Sequence, residues 1–474
     1  MKFEEYRSFD ATGLAELLAR GEVTAKELLE LAEGRARALA QQINAVSVWD
    51  LEHAEASLAA GLPEGPFRGV PFLLKDLYAF LQGTRLTNGS RLTRDVVADF
   101  DTTFIARARA AGLVVFGKTT TPEFGLNVVT EPVLHGPCRN PWDPDHSPGG
   151  SSGGAAAAVA AGILPMAHAT DGGGSTRIPA SHCGLVGLKP SRARVPVGPL
   201  VAEAWSGLAT GLVISRSLRD TACFLDAVHG PENGDFYACP PPAAPFRESL
   251  ERSPGRLRVA LVERAPLGIP LHPEVKTALD RAARLLEEMG HHIEEATIPL
   301  EGERMAAAFL DVVSANCAND LEAWATRLGR RLDEEHLERC TLALVEQGRK
   351  VSAVAYLRSL QTVQQAARAF GTMFRRFDLV LSPVCAAPPP KIGEIDQNDL
   401  IPLRFLERNR PYVCFTSLYN ASGCPAISLP LHVSARGLPI GIMLGARLGG
   451  EELLLSVAAE IERASPWFDR VPPI

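Results

Sequence analysis

Apolar residues along this chain follow two spacings, one helical and one extended. Leu28, Ala32, Ala36, Leu39 and Ile43 recur on one helical face behind Thr24-Ala-Lys-Glu27, a capping box that fixes where the helix begins. Leu257 to Val262 reads as a buried strand, Pro273 and Gly290 bracket a helix, and Ile293 opens another strand. Gly112-Leu-Val-Val-Phe-Gly117 and Leu438-Pro-Ile-Gly-Ile-Met-Leu444 add apolar strands, and Glu451 to Glu462 repeats an amphipathic helix. Strands alternating with helices predict an α/β fold with a mixed sheet and helices on both faces.

Two proline-rich stretches interrupt this alternation, Gly230 to Gly255 and Pro388-Pro-Pro390, and both read as surface connections. Between them, at about 230–390, the chain is poorer in glycine and richer in charge, as expected of a variable region that lines a substrate pocket within one domain spanning 1–474. An independent helical subdomain is the competing expectation.

Composition narrows the class. A chain of 474 residues with 46% hydrophobic and 22% charged residues can bury a large core. A net charge of −7 leaves no basic footprint for nucleic acid or an anionic membrane. The nine cysteines are odd in number and scattered, with no zinc-like spacing, which favours free thiols in a reducing cytoplasm and no metal centre. MKFEEYRSFDATGL lacks the regions of a signal peptide. Ser147 to Thr170 carries no charge over a membrane-length span, but its Gly, Ser, Pro and Ala have little transfer energy, so insertion is rejected.

The candidate chemistry lies at the two ends of that span and just beyond it. Ser147-Pro-Gly-Gly-Ser-Ser-Gly-Gly154 and Thr170-Asp-Gly-Gly-Gly-Ser-Thr176 are glycine clusters, which mark sharp turns or close approach to a ligand. Neither continues into Gly-Lys-Ser/Thr, so a phosphate loop is weakly supported. Gly149-Gly-Ser-Ser-Gly153 matches the nucleophile-elbow pattern but follows a turn-rich loop, not a buried strand. Taken together, the clusters offer a hydroxyl nucleophile at Ser175 beside glycine N–H groups able to cradle an oxyanion, with Ser151 and Ser152 as further hydroxyls. Serine needs a base, and a lysine held neutral among apolar side chains could serve. Lys75, Lys118 and Lys189 all adjoin apolar runs, and spacing does not choose among them.

Gly69-Val-Pro-Phe-Leu-Leu-Lys75-Asp76, Arg139-Asn-Pro-Trp142 through Gly154, and Thr170-Asp-Gly-Gly-Gly-Ser175-Thr-Arg-Ile-Pro179 resemble the amidase signature family in order and spacing. The likeness extends to Asn420-Ala-Ser-Gly-Cys-Pro425 and Gly437-Leu-Pro-Ile-Gly441. It implies the amidase-signature fold, with a central twisted mixed sheet flanked by helices on both faces. It also implies amide hydrolysis without metal or cofactor, with Ser175 as nucleophile, Ser151 as proton shuttle on a cis Gly150–Ser151 peptide, Lys75 as base and Gly172, Gly173 and Gly174 as oxyanion donors.

Phe72, Leu73, Leu74 and Leu77 would lower the pKa of Lys75, and in an extended segment Asp76 would face away from it. Asp171 and Arg177 read as a structural ion pair supporting the loop. Ser152 reads as a cap for a helix over Ala155 to Ala161. Cys317 is a candidate pocket residue, although most such cysteines are small buried hydrophobes. His135, His168 and His182 have no required task beside a lysine base.

Thr170-Asp-Gly-Gly-Gly-Ser175 looks like the branch that contains 6-aminohexanoate-cyclic-dimer hydrolase, whereas Thr-Asp-Thr-Gly-Gly-Ser is more common. The Arg177-Ile-Pro continuation lacks the Gln frequent in the amidotransferase A-type subunit of a glutamine-dependent transamidosome. A self-sufficient hydrolase of small-molecule amides is therefore preferred to that subunit, and a homodimer is left as an option.

Overall fold

A computed structural model describes residues 1–474. The chain forms eleven strands: β1 Val46–Trp49, β2 Pro71–Lys75, β3 Val114–Thr119, β4 Met166–Asp171, β5 Val186–Lys189 and β6 Thr210–Ser215, followed by β7 Arg258–Leu261, β8 His292–Glu295, β9 Leu379–Pro383, β10 Ala426–Val433 and β11 Pro439–Ala446. Three make a small sheet in the order β1-β3-β2, and eight make a large one in the order β4-β6-β5-β10-β11-β9-β7-β8. The pairings β2–β3, β7–β8 and β7–β9 are parallel and the rest antiparallel, so both sheets are mixed. Helices pack around the large sheet. β2, β3, β9 and β11 are buried at every residue, which is why they read as apolar runs without alternation.

Most sequence-predicted elements appear within a few residues of their expected limits. The capping box is present: Glu27 N–H donates to Thr24 Oγ1 at 3.2 Å, and Thr24 N–H donates to Glu27 Oε2 at 2.8 Å. This helix stops at Ala38, and Leu39 and Ile43 are buried around a separate short turn, Ala40–Ile43. Pro273 opens the helix Pro273–Glu288, where its missing N–H costs nothing. Gly230 to Gly255 lies largely on the surface, as expected. Pro389 and Pro390 do not: both are buried, with Pro390 O accepting from Ser147 N–H at 2.8 Å. That stretch packs against the loop before the first glycine cluster, a long-range contact with no local signature.

The region 230–390 supplies β7, β8 and β9 to the large sheet. Its helices Gly302–Leu328, Arg339–Lys350 and Ala353–Gly371 share an apolar cluster with Phe124, Val128, Ile178 and Tyr419, which come from the loops and helices around the glycine clusters. No helix is long and apolar enough to cross a membrane, and all nine cysteines are free thiols.

The first glycine cluster starts the helix Gly153–Ala160, which is buried along its whole length. Ser152 occupies the N-cap position but does not cap: its hydroxyl donates to Thr170 O at 3.2 Å and accepts from Thr170 N–H at 3.3 Å. The hydroxyl is diverted because β4 runs alongside. A Cβ on Gly154 would press on the backbone of Thr120 and lie 2.7 Å from Ala45 O, and one on Gly150 would meet Asn127 O at 2.7 Å. Close backbone approach, not turn geometry, requires glycine here. Gly154→Ala is expected to lower stability by about 1–3 kcal/mol. Gly34→Ala, in open space on the helix Ala25–Ala38, should raise it by about 0.5–1 kcal/mol. Urea unfolding of both variants checks the contrast.

Candidate active site

The two sheets meet where β2 lies beside β4. Each strand ends at a residue of the candidate chemistry, β2 at Lys75 and β4 at Asp171. The contact is pinned by Lys75 N–H, which donates to His168 Nδ1 at 3.2 Å. Burial, and then the nearby Lys75, push His168 down to about 3, so its ring is a neutral acceptor.

Lys75 is fully buried, and its amine faces hydroxyls. Nζ lies 2.7 Å from Ser151 Oγ and 2.8 Å from Thr170 Oγ1. Burial holds Lys75 well below the ordinary lysine range, and the opposing pull of Asp171 does not offset it. Asp76 turns the other way, as an extended backbone requires: it accepts from Thr87 N–H at 2.9 Å, from the Thr87 hydroxyl and from Ser47 Oγ at 3.4 Å. The geometry also separates the three lysines. Lys118 Nζ donates to Ala79 O at 3.2 Å and Lys189 Nζ to Pro190 O at 2.7 Å, whereas only Lys75 reaches Ser151.

Ser151 follows a cis peptide bond from Gly150, and its carbonyl accepts from Thr121 Oγ1 at 3.0 Å. Ser175 sits part-exposed at the end of the second cluster, tied to the first by Ser152 N–H donating to Ser175 O at 3.2 Å. Its hydroxyl makes no hydrogen bond within the chain.

The second cluster is wrapped around Asp171. Arg177 grips that carboxylate with two donors, Nε to Oδ2 at 2.9 Å and Nη2 to Oδ1 at 2.8 Å, and both residues are buried. Burial pushes the Asp171 carboxyl up, but the charge and hydrogen bonds of Arg177 and the amide of Asn420 outweigh it and hold the group far below the usual range. Asn420 Nδ2 donates to Asp171 O and Oδ1, each at 2.9 Å, and Thr416 Oγ1 donates to Gly173 O at 2.7 Å.

This wrapping changes the oxyanion expectation. Gly174 N–H donates to Asp171 Oδ1 at 2.8 Å and Thr176 N–H to Oδ2 at 3.2 Å. Gly174 N–H is thus occupied, whereas the backbone N–H groups of Gly172, Gly173 and Ser175 have no hydrogen-bond partner within the chain. Gly174 is needed for shape instead, with φ of +135° and Thr416 Oγ1 where a Cβ would stand.

Cys317, on the helix Gly302–Leu328, is 4% exposed, and burial pushes its thiol up. Residues that sequence reasoning passed over are Thr170, Thr416 and Asn420. Thr170 lay within the quoted motif, and Asn420 opened the Asn420-to-Pro425 stretch, but nothing local indicated that either would bond to Lys75 or Asp171.

Asp171→Asn is expected to cost about 3–5 kcal/mol, because it leaves Arg177 buried without its counter-charge. The folded-state pKa of Asp171 is depressed, so its stabilisation is present above the unfolded carboxyl value of about 4 and is lost as pH falls below that value towards the folded one. Urea midpoints measured against pH should show a shallower acid decline in the variant.

The sequence profile of the Amidase family matches residues 27–455. 6-Aminohexanoate-cyclic-dimer hydrolase of Paenarthrobacter ureafaciens is 39% identical over 480 residues, covering 98% of this chain and 96% of that protein. A solved structure of 6-aminohexanoate cyclic dimer hydrolase complexed with substrate superposes with a TM-score of 0.94 at 37% identity, covering 98% of this chain and 99% of that one. The A-type subunit of glutamyl-tRNA(Gln) amidotransferase from Thermotoga maritima superposes less closely, with a TM-score of 0.79 at 26% identity, covering 97% and 96%. The profile runs through Lys75, both glycine clusters and the Asn420 that braces the second, and the chain therefore belongs to the amidase family of amide-bond hydrolases.

Proposed function

We propose that this chain hydrolyses small-molecule amides by acyl transfer to Ser175, with Ser151 and Lys75 as the proton relay. The observation that carries the reading is a buried amine 2.7 Å from the Ser151 hydroxyl and free of any carboxylate partner. A charged ammonium has no lone pair to accept a proton, and burial favours the neutral amine.

The steps follow from that geometry. Ser175 Oγ attacks the amide carbon while its proton passes to Ser151 Oγ and the proton of Ser151 passes to Lys75 Nζ. The carbonyl oxygen becomes an oxyanion held by the N–H groups of Gly172, Gly173 and Ser175. As the C–N bond breaks, the relay returns the proton to the leaving nitrogen and an ester on Ser175 remains. Water then attacks that ester through the same relay and releases the carboxylic acid. The Ser175-to-Ser151 link closes when substrate is bound, as catalytic hydrogen bonds commonly do.

Thr170, as the second oxygen on Lys75, orients the amine. The region at about 230–390, Cys317 included, lines the acyl or leaving-group side and sets which amide fits. Cyclic and linear amides of ω-amino acids are the first substrates to test, given the relatives at 37–39% identity. The amidotransferase reading has weaker support, with 26% identity to its solved representative. Turnover by the purified chain alone, without glutamine or partner proteins, separates the two readings.

A fluorophosphonate should label wild-type protein on Ser175, read by peptide mass spectrometry. An adduct on Ser151 or Ser152 would overturn the assignment. Activity should rise with pH as Lys75 loses its proton, on a limb displaced below the ordinary lysine range. Lys75→Ala should remove that limb and lower kcat by about 100-fold or more. An unchanged pH–rate profile with near wild-type acylation would refute the role of Lys75.

A further inference from the structure

The helix Gly302–Leu328 touches two segments that adjoin the candidate site. On one side Asn316 Nδ2 donates to Ser206 Oγ at 3.2 Å, and the adjoining Trp205 lies over Gly172, whose Cβ would come 2.8 Å from its ring. Ser206 also bonds to the Tyr356 hydroxyl, which fixes this loop to the neighbouring helix Ala353–Gly371. On the other side Tyr78 OH donates to Asp320 Oδ2 at 3.5 Å. Tyr78 stands three residues beyond Lys75, a length of chain that spans at most about 11 Å. Asn316 and Asp320 are one helical turn apart and share a face. That face therefore touches both the loop that covers Gly172 and the segment that follows Lys75.

Asp320 is the carboxylate on this face without a counter-charge. It is partly buried, accepts from Asn319 Nδ2 at 3.1 Å and from Tyr78, and forms an ion pair with no Lys, Arg or His. Asp171, by contrast, is saturated by Arg177. Burial raises the Asp320 carboxyl, a desolvation cost that a cation on a ligand would offset.

We propose that Asp320, oriented by Tyr78, binds a primary ammonium group of the substrate, which makes the preferred class an amide carrying a protonated amine several bonds from the scissile carbonyl. The proposal rests on the acyl-transfer reading of Ser175. It has a further consequence for cyclic amides. Breaking their C–N bond leaves the amine tethered to the acyl-enzyme, where its lone pair can attack the ester and close the ring again. Once that amine has taken a proton from water, holding it as an ammonium on Asp320 withholds the lone pair and lets water complete the reaction.

The test separates recognition from chemistry. Ser175→Ala protein is titrated calorimetrically with 6-aminohexananilide, which ends in an ammonium, and with hexananilide, which ends in a methyl group. The ammonium ligand should bind about tenfold more tightly, and adding Asp320→Asn should abolish that preference while leaving hexananilide affinity unchanged. Equal binding of the two ligands, or equal weakening of both by Asp320→Asn, would overturn the proposal. Failure of the acyl-transfer reading would show elsewhere, as wild-type protein that hydrolyses neither anilide.

Discussion

The arrangement depends on how buried charge is distributed around Lys75. Lys75, Lys118, Lys189, Asp76 and Asp171 are all buried. Asp171 is committed to Arg177 and to three backbone N–H groups, and Asp76 to Thr87 and Ser47. Lys75 is left with Ser151 and Thr170 for company. An ammonium in that position would lack a counter-ion in a low-dielectric interior, which is why burial holds Lys75 well below the ordinary lysine range. Moving either carboxylate onto Lys75 would favour its charged form. The Asp171–Arg177 pair therefore does two jobs: it shapes the glycine turn, and it keeps a carboxylate away from the amine.

The same pair explains why the second cluster can be so rich in glycine and still hold one shape. Glycine loses more conformational freedom on folding than other residues, so three in succession need external restraint. Asp171 fixes the turn from inside through Gly174, Thr176 and Arg177, while Thr416 and Asn420 hold it from a helix and turn some 240 residues later in the chain. The remaining amides, at Gly172, Gly173 and Ser175, are preorganised without being used up. In the first cluster glycine serves a different purpose, letting the helix Gly153–Ala160 run against the backbone of Thr120 and Ala45.

How much of this was legible in the sequence follows from how local each cause is. The capping box, the start of the helix at Pro273 and the apolar strands depend on residues within one turn or one strand, and they appear close to where the pattern puts them. The orientation of Asp76 away from Lys75 follows from strand alternation alone. The choice among Lys75, Lys118 and Lys189 does not: it depends on β2 and β4 meeting at the junction of two sheets, and only the family resemblance anticipates it. Ser152 reads wrongly as a cap, because its competing partner on Thr170 is 18 residues away. Gly174, expected among the oxyanion donors, has its N–H taken by Asp171, and motif order does not reveal which amide a neighbouring carboxylate will occupy. Composition puts Pro389 and Pro390 on the surface, and a contact with Ser147 buries them.

These causes divide the molecule by stiffness. Lys75, Ser151 and the glycine turn are built on strand ends and buried helices, where displacement by an ångström would disrupt close-packed backbone. Trp205, Ser206, Asn316, Tyr78 and Asp320 belong to loops and to one long helix, and they are joined mainly by side-chain hydrogen bonds. Substitutions in that outer layer leave untouched the charge arrangement that keeps carboxylates away from Lys75. The two layers meet at Gly172, where Trp205 lies against backbone whose N–H has no partner within the chain. A change in the outer layer reaches the chemistry most directly there, because any shift of the indole ring bears on the position of that N–H.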